Sequence, residues 1–320
     1  MKLFIIIPAY NEENSIGAVI KEIPRDIKEI NEVKVLVVDD GSIDKTVQMS
    51  KEARADYIFR NKANKGLAFS FGRGLDESLK LGADIIVNTD ADFQYDQSEI
   101  PNLIKPILDD KADMVFGDRQ ISKLSHMSLN KKYGNIIGSF FLRLITGSNI
   151  RDASSGFRAF SRKAAMQFLI FSNHTYTHET IIQAIAKKMR IVQIPIIFKK
   201  REKGKSKLIK GFFGHIKRSL FTILRVVLIY KPLKIFFIFG SVCFCLGSLL
   251  SLRYLYFYFI GITSGHIQSL ILASILISIG VIVIVMGLLA DLINTNRKII
   301  EEVLLKLREK DYQRNNDRKK

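Results

Sequence analysis

Two uncharged stretches near the end of the chain constrain its fold more than any other feature. Residues 235–252 and residues 267–290 contain 18 and 24 successive positions without Asp, Glu, Lys or Arg. As α-helices that rise about 1.5 Å per residue, they would be roughly 27 and 36 Å long, enough to cross the hydrocarbon core of a bilayer. Because the two stretches occur in series, we predict two transmembrane helices, at about 235–256 and 267–290, rather than buried helices of a soluble protein.

The charge of the 320-residue chain is divided between an acidic first part and a basic second part. Residues 1–120 carry 16 Lys/Arg and 22 Asp/Glu, a net charge of −6, and the rest carries +24, for a total of +18. A basic surface suits nucleic acid or an anionic membrane leaflet, and the apolar stretches favour the leaflet. We therefore expect membrane lipids, and no nucleic acid, as partners. Cys243 and Cys245 both lie in the first apolar stretch, which argues against a disulfide framework or a zinc site.

The first 200 residues alternate between short apolar runs and helical patterns. Strands are predicted at 2–7, 33–38, 57–60, 85–88, 114–117 and 191–198, and helices near 15–23, 44–55, 66–81 and 176–188. Residues 152–160 have the composition of a polar turn. Strands that alternate with helices are typical of a doubly wound, mostly parallel α/β sheet.

Polar residues collect where three of these strands end, at 8–12, 39–42 and 90–94. Asp90 and Asp92 lie one residue apart after a buried strand, and such carboxylates suit Mg²⁺ or Mn²⁺ that bridges to a substrate phosphate. Two solvated turn aspartates are the alternative. Either Asp39 or Asp40 is suited to accept a hydrogen bond from a nucleobase or ribose. The chain has no dinucleotide-binding or phosphate-loop glycine motif.

Several motifs, in this order along the chain, resemble the family 2 glycosyltransferases of GT-A fold: Ile5-Ile6-Ile7-Pro8-Ala9-Tyr10-Asn11-Glu12, Val37-Val38-Asp39-Asp40-Gly41-Ser42 and Asp90-Ala91-Asp92. Three further motifs resemble the polyprenyl-phosphate branch of this family, which includes the dolichyl-phosphate mannose synthases. They are Asp118-Arg119, Ser155-Gly156-Phe157 and Arg201-Glu202-Lys203-Gly204-Lys205-Ser206-Lys207. The resemblance implies an inverting, metal-dependent transferase that moves one sugar from a nucleotide-sugar to a polyprenyl or dolichyl phosphate and so feeds glycan or glycoprotein assembly.

The same resemblance assigns roles to residues of this sequence. The nucleotide-sugar would be bound by Pro8, Tyr10, Glu12, Asp39, Asp90 and Ala91. Mn²⁺ or Mg²⁺ would be bound by Asp90, Asp92 and Gln94. The catalytic residues would be Asp92, Arg119 and Glu179, although a glutamate in the first turn of a helix also favours the helix dipole. The acceptor phosphate would be bound by Arg119, which lies in one of these motifs, and by Lys132, for which a solvated surface charge is the alternative. Arg201, Ser206 and Lys207 would join them, because the basic stretch lies between the catalytic domain and the predicted spans.

The donor and the acceptor have alternatives. The chain reads Asp-Ala-Asp-Phe-Gln-Tyr-Asp from residue 90, where the mannose synthases typically have Asp-Ala-Asp-Leu-Gln-His-Pro, and this departure favours a UDP-hexose or UDP-N-acetylhexosamine over GDP-mannose. Transfer to a lipid-linked oligosaccharide or a protein, and a membrane scaffold with an inactive transferase domain, stay open. A processive polysaccharide synthase is disfavoured, because its Gln-X-X-Arg-Trp signature requires a tryptophan and the chain has none.

These observations predict four parts: a GT-A domain at 1–207, amphipathic interfacial helices at 208–231, a transmembrane hairpin at 232–291 and a basic tail at 292–320, disordered from 311. The link at 253–266 contains one Arg and no Lys, whereas Lys231, Lys234, Arg297 and Lys298 flank the hairpin on its other side. The positive-inside rule then predicts that the catalytic domain and both termini are cytoplasmic. A homo-oligomer is left open.

Overall fold

In a computed structural model of the chain, the described residues are 1–124, 147–170, 176–199, 232–261 and 267–317, with single positions between 132 and 143. The chain divides into two compact units, one formed by Met1–Ile223 together with Leu305–Lys320 and the other by Leu224–Leu304. Residues 200–231, which include the basic stretch and the predicted interfacial helices, lie outside the described residues.

The first unit is built on a seven-stranded sheet. Its strands are β1 (Lys2–Ala9), β2 (Glu32–Asp39), β3 (Tyr57–Arg60), β4 (Ile85–Asn88), β5 (Met114–Asp118), β6 (Arg158–Ser161) and β7 (Ile191–Pro195). The spatial order is β3-β2-β1-β4-β6-β5-β7. All neighbouring strands are parallel except β6, which is antiparallel to β4 and to β5. The predicted mostly parallel α/β sheet is confirmed.

Strand β6 was not predicted, because the sequence at 152–160 has the composition of a polar turn. Only the first part of that segment is a turn, since Arg158–Ser161 pairs with β4 on one side and with β5 on the other. The strand is four residues long and begins with an arginine, so its apolar pattern is too short to recognise without its neighbours.

Helices cover the sheet. They are α1 (Ile16–Glu22), α2 (Thr46–Glu52), α3 (Leu67–Lys80), α4 (Ile100–Leu108), α5 (Arg162–Gln167) and α6 (Thr177–Ala186). Phe71, Leu75 and Leu79 form the buried stripe of α3 at the spacing of one helical face. Gly74 lets this helix approach the sheet closely, because a Cβ at this position would lie 2.4 Å from Cγ2 of Ile6.

The second unit contains α7 (Pro232–Phe259) and the first part of α8 (Ile267–Asp317). Both helices are long and apolar enough to cross a membrane, judged by length and composition. They meet through glycines: a Cβ on Gly240 would lie 2.8 Å from the main-chain oxygen of Gly280, and a Cβ on Gly247 would lie 2.9 Å from that of Ala273. The two backbones are therefore in direct contact, as is common for membrane helices.

The last turns of α8 belong to the first unit. Arg308 Nη1 donates to the main-chain oxygen of Met166 at 3.1 Å, and Arg308 Nη2 lies 3.3 Å from Asp76 Oδ1. Tyr312 is buried, with the Arg162 guanidinium 5.7 Å from its ring centre. The helix continues to Asp317, so the predicted disorder from residue 311 is wrong as far as residue 317.

Candidate active site

The carboxyl ends of β1, β2 and β4 bring three polar segments to one edge of the sheet. β1 ends at Ala9, opposite Asp39, the last residue of β2. The main-chain N–H of Thr89, just after β4, donates to the oxygen of Ile6 in β1 at 3.0 Å. The segments that follow these strands therefore leave the sheet side by side, where open α/β sheets bind their ligands.

Two of these segments are fastened to each other by hydrogen bonds. The main-chain N–H of Asn11 donates to Ser42 Oγ at 2.9 Å, and its side-chain oxygen accepts from the N–H of Ile43 at 2.9 Å. The N–H of Glu12 donates to Thr46 Oγ1 at 2.8 Å. The segments after β1 and β2 thus form one wall, which is fixed before any ligand arrives.

Asp39 is fully buried at this wall. Its Oδ2 lies 3.1 Å from Nε of Arg60, and its Oδ1 accepts from the N–H of Ser42 at 3.2 Å. The charge of the carboxylate is therefore offset by an arginine that is itself exposed. The other predicted pocket residues on this side are Pro8, which is buried, and Tyr10 and Glu12, which are half-buried.

Asp40 has a different task from Asp39. Its Oδ1 accepts from Asn61 Nδ2 at 2.8 Å and from the N–H of Lys65 at 3.0 Å, and its Oδ2 accepts from the N–H of Gly66 at 2.8 Å. These bonds fix the loop that leads into α3. The Asp40 carboxylate therefore has a structural role in holding this loop. A ligand-binding role for Asp39 stays a prediction.

The predicted metal-binding carboxylates lie in the turn after β4. The strand ends at Asn88, so Asp90 and Asp92 are turn residues rather than neighbours on one strand face. Asp92 Oδ1 accepts from the N–H of Gln94 at 3.3 Å, and Phe93 between them has a φ of 62°. Asp90, Asp92 and Gln94 are half-buried, whereas Ala91 is buried.

Gly156 lies directly against Asp90. A Cβ on Gly156 would be 2.8 Å from Oδ1 and 2.9 Å from Oδ2 of that carboxylate. The glycine is held from both sides: Asn88 Nδ2 donates to its oxygen at 2.8 Å, and its N–H donates to the hydroxyl of Tyr95 at 2.8 Å. The turn before β6 therefore closes onto the turn after β4, with no room for a side chain between them.

The donor set fits a divalent cation that is shared with a substrate. Among the described residues, no group of three or more His, Cys, Asp and Glu side chains is arranged to hold a metal ion. Two carboxylates at a strand end suffice for Mg²⁺ or Mn²⁺ when phosphate oxygens and water complete the shell. The glycine beside Asp90 keeps the space next to that carboxylate free of side chains. Asp90, Asp92 and Gln94 are the residues that would hold the ion.

Arg119 is buried and held by a carboxylate. Its Nε and Nη2 donate to Asp152 at 2.7 and 2.8 Å, Nη2 also donates to Ser154 Oγ at 2.7 Å, and the guanidinium lies 5.2 Å from the ring centre of Phe198. Burial alone would lower the pKa of Arg119, but the charge of Asp152 raises it above its ordinary value. Asp90 is also within electrostatic reach. Because Nη1 has no hydrogen-bond acceptor in the described part of the chain, it is available to an anion.

Glu179 lies in the first turn of α6, a helix whose residues from Thr177 to Ala184 are all buried. The carboxylate is 3 % exposed. Lys132 donates to the main-chain oxygen of Ser122 at 3.5 Å. The other predicted acceptor residues, Arg201, Ser206 and Lys207, lie outside the described residues.

Lys199, the first residue of the basic stretch, lies beside the turn that contains Asp90 and Asp92. The N–H of Lys199 donates to the oxygen of Gln94 at 2.7 Å, and Phe198 forms a β-bridge with Tyr95. Lys199 Nζ lies 3.0 Å from Glu22. Residue 200 therefore follows directly on a residue that is fixed against the turn of Asp90 and Asp92.

Sequence comparison identifies the family. The sequence model of glycosyl transferase family 2 matches residues 4–169, slightly more than half of the chain. The chain belongs to glycosyl transferase family 2. This glycosyltransferase is 34% identical over 216 residues to the UDP-N-acetylglucosamine–dolichyl-phosphate N-acetylglucosaminyltransferase of Methanococcus voltae, which covers 61% of this chain and 84% of the relative.

Two further proteins are similar to it. The undecaprenyl-phosphate mannosyltransferase of Micrococcus luteus is 28% identical over 224 residues, covering 67% of this chain and 90% of the relative. The glucosyl-3-phosphoglycerate synthase from Mycobacterium tuberculosis, solved with Mn²⁺, UDP-glucose and phosphoglyceric acid, superposes with a TM-score of 0.54 at 19% identity, covering 71% of this chain and 79% of that chain. The last likeness shows the shared fold.

Sequence reasoning missed two charged residues of this region. Asp152 holds Arg119, and Arg158 is completely buried behind the Gly156 turn. Burial lowers the pKa of Arg158 to about 10, so it stays a cation at neutral pH. The available signal was an arginine between Phe157 and Ala159, inside an apolar run, which is where a buried charge with a specific task would occur.

Proposed function

We propose that this glycosyltransferase transfers one sugar from a nucleotide-sugar to the phosphate of a membrane polyprenol. The observation that carries the proposal is the main-chain hydrogen bond from Lys199 to Gln94. Lys199 is the first residue of a strongly basic stretch, and this hydrogen bond holds it beside the turn that contains Asp90 and Asp92. A basic segment near a membrane suits a lipid phosphate. The names of the relatives from Methanococcus voltae and Micrococcus luteus, both transferases to polyprenyl phosphates, support the same acceptor.

For the donor, a UDP-hexose or UDP-N-acetylhexosamine is favoured and GDP-mannose is the alternative. Phe93, Tyr95 and Asp96 stand where the mannose synthases typically have Leu, His and Pro. The UDP-N-acetylglucosamine enzyme among the relatives supports the first donor class, and the mannosyltransferase supports the second. Pro8, Tyr10, Glu12 and Asp39 would bind the nucleotide, and Asp90 and Ala91 the diphosphate side.

In the proposed reaction, a phosphate oxygen of the lipid forms a bond to the anomeric carbon while the bond from that carbon to the nucleotide diphosphate breaks, with inversion. A Mn²⁺ or Mg²⁺ ion held by Asp90, Asp92 and Gln94 would supply positive charge for the leaving diphosphate. The Mn²⁺ in the solved structure of shared fold supports this.

The chain itself mainly has to position two anions. A phosphate monoester has a second pKa of about 6 and is already anionic at neutral pH, so no strong base is required. Arg119 Nη1, Lys132, Arg201, Ser206 and Lys207 would bind the acceptor phosphate, and Glu179 would face the reaction centre. Fixing the two reactants in this way lowers the entropic part of the barrier.

The proposed membrane arrangement has two spans, with the catalytic domain at 1–207, the interfacial helices at 208–231 and both termini on the cytoplasmic side. The length and composition of α7 and α8 support the spans. The lysines and arginines that flank the hairpin on one side support the orientation.

Turnover by the purified full chain tests the function. The protein in detergent receives Mn²⁺ or Mg²⁺, a polyprenyl phosphate and a series of UDP- and GDP-sugars. We expect one donor to give an EDTA-sensitive glycolipid. Nucleotide binding without glycolipid would move the acceptor to an oligosaccharide or protein, and absence of both would favour the scaffold alternative.

Replacement of a proposed metal ligand gives a sharper result. We expect Asp92→Ala to lower turnover by far more than about tenfold, because removing charge stabilisation at the leaving group costs several kcal/mol. Asp109→Ala, at the exposed end of α4, is the matched control and should leave turnover unchanged. Activity of Asp92→Ala within about tenfold of wild type would exclude Asp92 from the site.

A further inference from the structure

Arg158 is the one Lys or Arg among the described residues that is completely buried, at 0 % exposure. It has no carboxylate within ion-pair distance in the described part of the chain. In place of a carboxylate in contact, it has hydrogen-bond acceptors, the more distant charge of Asp152 and the rings of Phe116 and Tyr176, whose centres lie 5.6 and 5.9 Å from the guanidinium carbon. A buried cation without a counter-charge is costly, and an apolar side chain of similar size would fill the core at lower cost.

One edge of the guanidinium holds the turn before β6. Nε donates to the main-chain oxygen of Ser155 at 2.7 Å, and Nη2 donates to that of Ala153 at 2.9 Å. The next residue, Gly156, is the one that lies against the Asp90 carboxylate. Two bonds from Arg158 therefore fix the backbone that touches a proposed metal ligand.

The remaining nitrogen holds the start of α6. Nη1 donates to the main-chain oxygen of Thr177 at 2.7 Å and to Thr180 Oγ1 at 2.6 Å. Glu179, the proposed catalytic carboxylate, lies between these two residues. A single rigid group thus joins the turn at Asp90 to the turn at Glu179, and its planar fork is suited to fix both at once.

We propose that Arg158 is a positioning residue that keeps the Asp90 side and the Glu179 side of the site in one geometry. The proposal explains why a costly buried charge occupies this place. It rests on the proposed function for its effect on sugar transfer. The coupling between the two segments is testable without any turnover.

Hydrogen–deuterium exchange of the full chain in detergent tests the coupling directly. In Arg158→Lys, which keeps the charge but not the fork, we expect the amides of 153–156 and of 177–180 to exchange about tenfold faster, in both segments together. Arg162→Lys is the matched control, because Arg162 Nη1 also donates to a main-chain oxygen, that of Ala83 at 2.7 Å, at the opposite end of β4. It should leave both segments unchanged. Unchanged exchange in Arg158→Lys, or faster exchange of only one segment, would overturn the coupling.

Kinetics test the consequence for transfer. We expect Arg158→Lys to lower kcat about 100-fold, since a displacement near 1 Å can have this effect. The nucleotide Kd measured without metal should change less than about threefold, because the hydrogen bonds of Arg158 go to residues 153, 155, 177 and 180 and not to the wall formed by the segments after β1 and β2. A parallel loss of kcat and nucleotide affinity, or unchanged kcat, would overturn the positioning role. Arg162→Lys should keep the wild-type kcat.

A second variant guards against failure of Arg158→Lys to fold. Thr180→Val removes one of the two acceptors that Arg158 Nη1 has on α6, together with the hydrogen bond from the Thr180 hydroxyl to the main-chain oxygen of Tyr176. Because the second loss is confined to α6, the expected result is faster exchange at 153–156 as well as at 177–180, with a kcat loss of about tenfold. Wild-type exchange and kcat in this variant would overturn the proposal. If the wild-type chain transfers no sugar, the proposed function fails, whereas the exchange measurements still decide the coupling.

Discussion

At the scale of single residues, the site contains buried charged side chains. Most of them are stabilised by an oppositely charged side chain or by hydrogen bonds to main-chain groups. Arg119 and Asp152 form such a pair, with both hydrogen bonds shorter than 3 Å. Burial alone would raise the pKa of Asp152, but the charge and hydrogen bonds of Arg119 hold it below its usual value. The pair orients Arg119 through its Nε and Nη2, and Nη1 is the atom that we propose for the acceptor phosphate.

Replacing Asp152 tests the importance of this pair for stability. Asp152→Asn leaves a buried arginine without its counter-charge, and we expect the free energy of unfolding to fall by about 3–5 kcal/mol. Chemical denaturation of the purified chain measures it. The matched control is Asp110→Asn, in the exposed pair with Arg190, which should cost nothing measurable. Equal effects in both variants would contradict the expected role of burial.

The pH dependence of the same pair follows from the lowered pKa of Asp152. The contribution of the carboxylate to stability is fully present above its unfolded pKa of about 3.9 and is lost as the pH falls through its lower folded pKa. We expect the difference in unfolding midpoint between wild type and Asp152→Asn to stay constant from about pH 5 to 8 and to shrink below about pH 4. A difference that already shrinks between pH 7 and 5 would contradict a lowered pKa.

A glycine is required at position 156 because the Asp90 carboxylate leaves no space for a Cβ atom. Its φ is not in the left-handed region, but a Cβ would lie 2.8 Å from the Asp90 carboxylate. In Gly156→Ala we expect Asp90 to rotate away and turnover to fall about 100-fold with little loss of stability. Gly72→Ala in α3, where the Cβ would meet Ile170 at an ordinary 3.5 Å, should retain activity. Full activity of Gly156→Ala in a turnover assay would refute the argument.

The sequence supports only part of this residue-scale account. Asp39, Asp90 and Asp92 could be selected because they follow apolar strands, and strand ends meet at one edge of a parallel sheet. The roles of Asp152 and Arg158 could not be assigned, because Arg119 lies 33 positions from Asp152 and Thr177 lies 19 positions from Arg158 along the chain. The apolar run around Arg158 marks it only as a candidate buried charge. Such contacts exist only after β6 has inserted between β4 and β5.

At the scale of elements, the apolar hairpin depends on close backbone contact between α7 and α8. Replacing Gly280 by Leu would push a side chain into the main chain at Gly240, and we expect a loss of at least about 1–3 kcal/mol. Denaturation by SDS titration in micelles measures this loss. Ser278→Leu, which places the same side chain at an exposed position two residues away, is the control. Equal losses would show that the glycine contact is unimportant.

The sequence predicted every strand of the sheet except β6, and the clearest of these predictions are the strands with continuous apolar runs. β1, β2, β4 and β5 have almost entirely buried side chains, as central parallel strands require. β6 follows a polar turn and pairs in the opposite direction, and neither property is encoded within its own four residues. The long apolar helices were predictable for the same reason as β1, because each is encoded by an uninterrupted run of apolar residues.

At the scale of the whole molecule, the last part of α8 belongs to the first unit, which also contains the candidate active site. Residues 305–317 of α8 contact α3 and α5 through Arg308 and Tyr312. We expect Arg308→Met to lower the stability of this unit by about 1–3 kcal/mol, because the main-chain oxygens of Met166 and Phe168 and the carboxylate of Asp76 lose their donor.

The measurement is the unfolding midpoint of the full chain, followed by a signal from the catalytic unit. Lys310→Ala, at an exposed position on the same helix, is the matched control. A midpoint for Arg308→Met that equals the control would mean that the end of α8 contributes nothing to the catalytic unit.

The reversed direction of β6 also has a consequence for how this enzyme could be altered. β5 ends and β6 begins at the same edge of the sheet, with Phe116 opposite Arg158. The segment between these two strands therefore leaves the sheet and rejoins it at the same edge. Arg119, Asp152 and Gly156 all belong to it, whereas the nucleotide wall is encoded earlier in the gene. If the proposed function holds, one continuous segment of the gene therefore encodes Arg119 and Lys132 of the proposed acceptor side. Exchange of this segment between related genes would then change that side while the proposed nucleotide-binding residues are inherited unchanged.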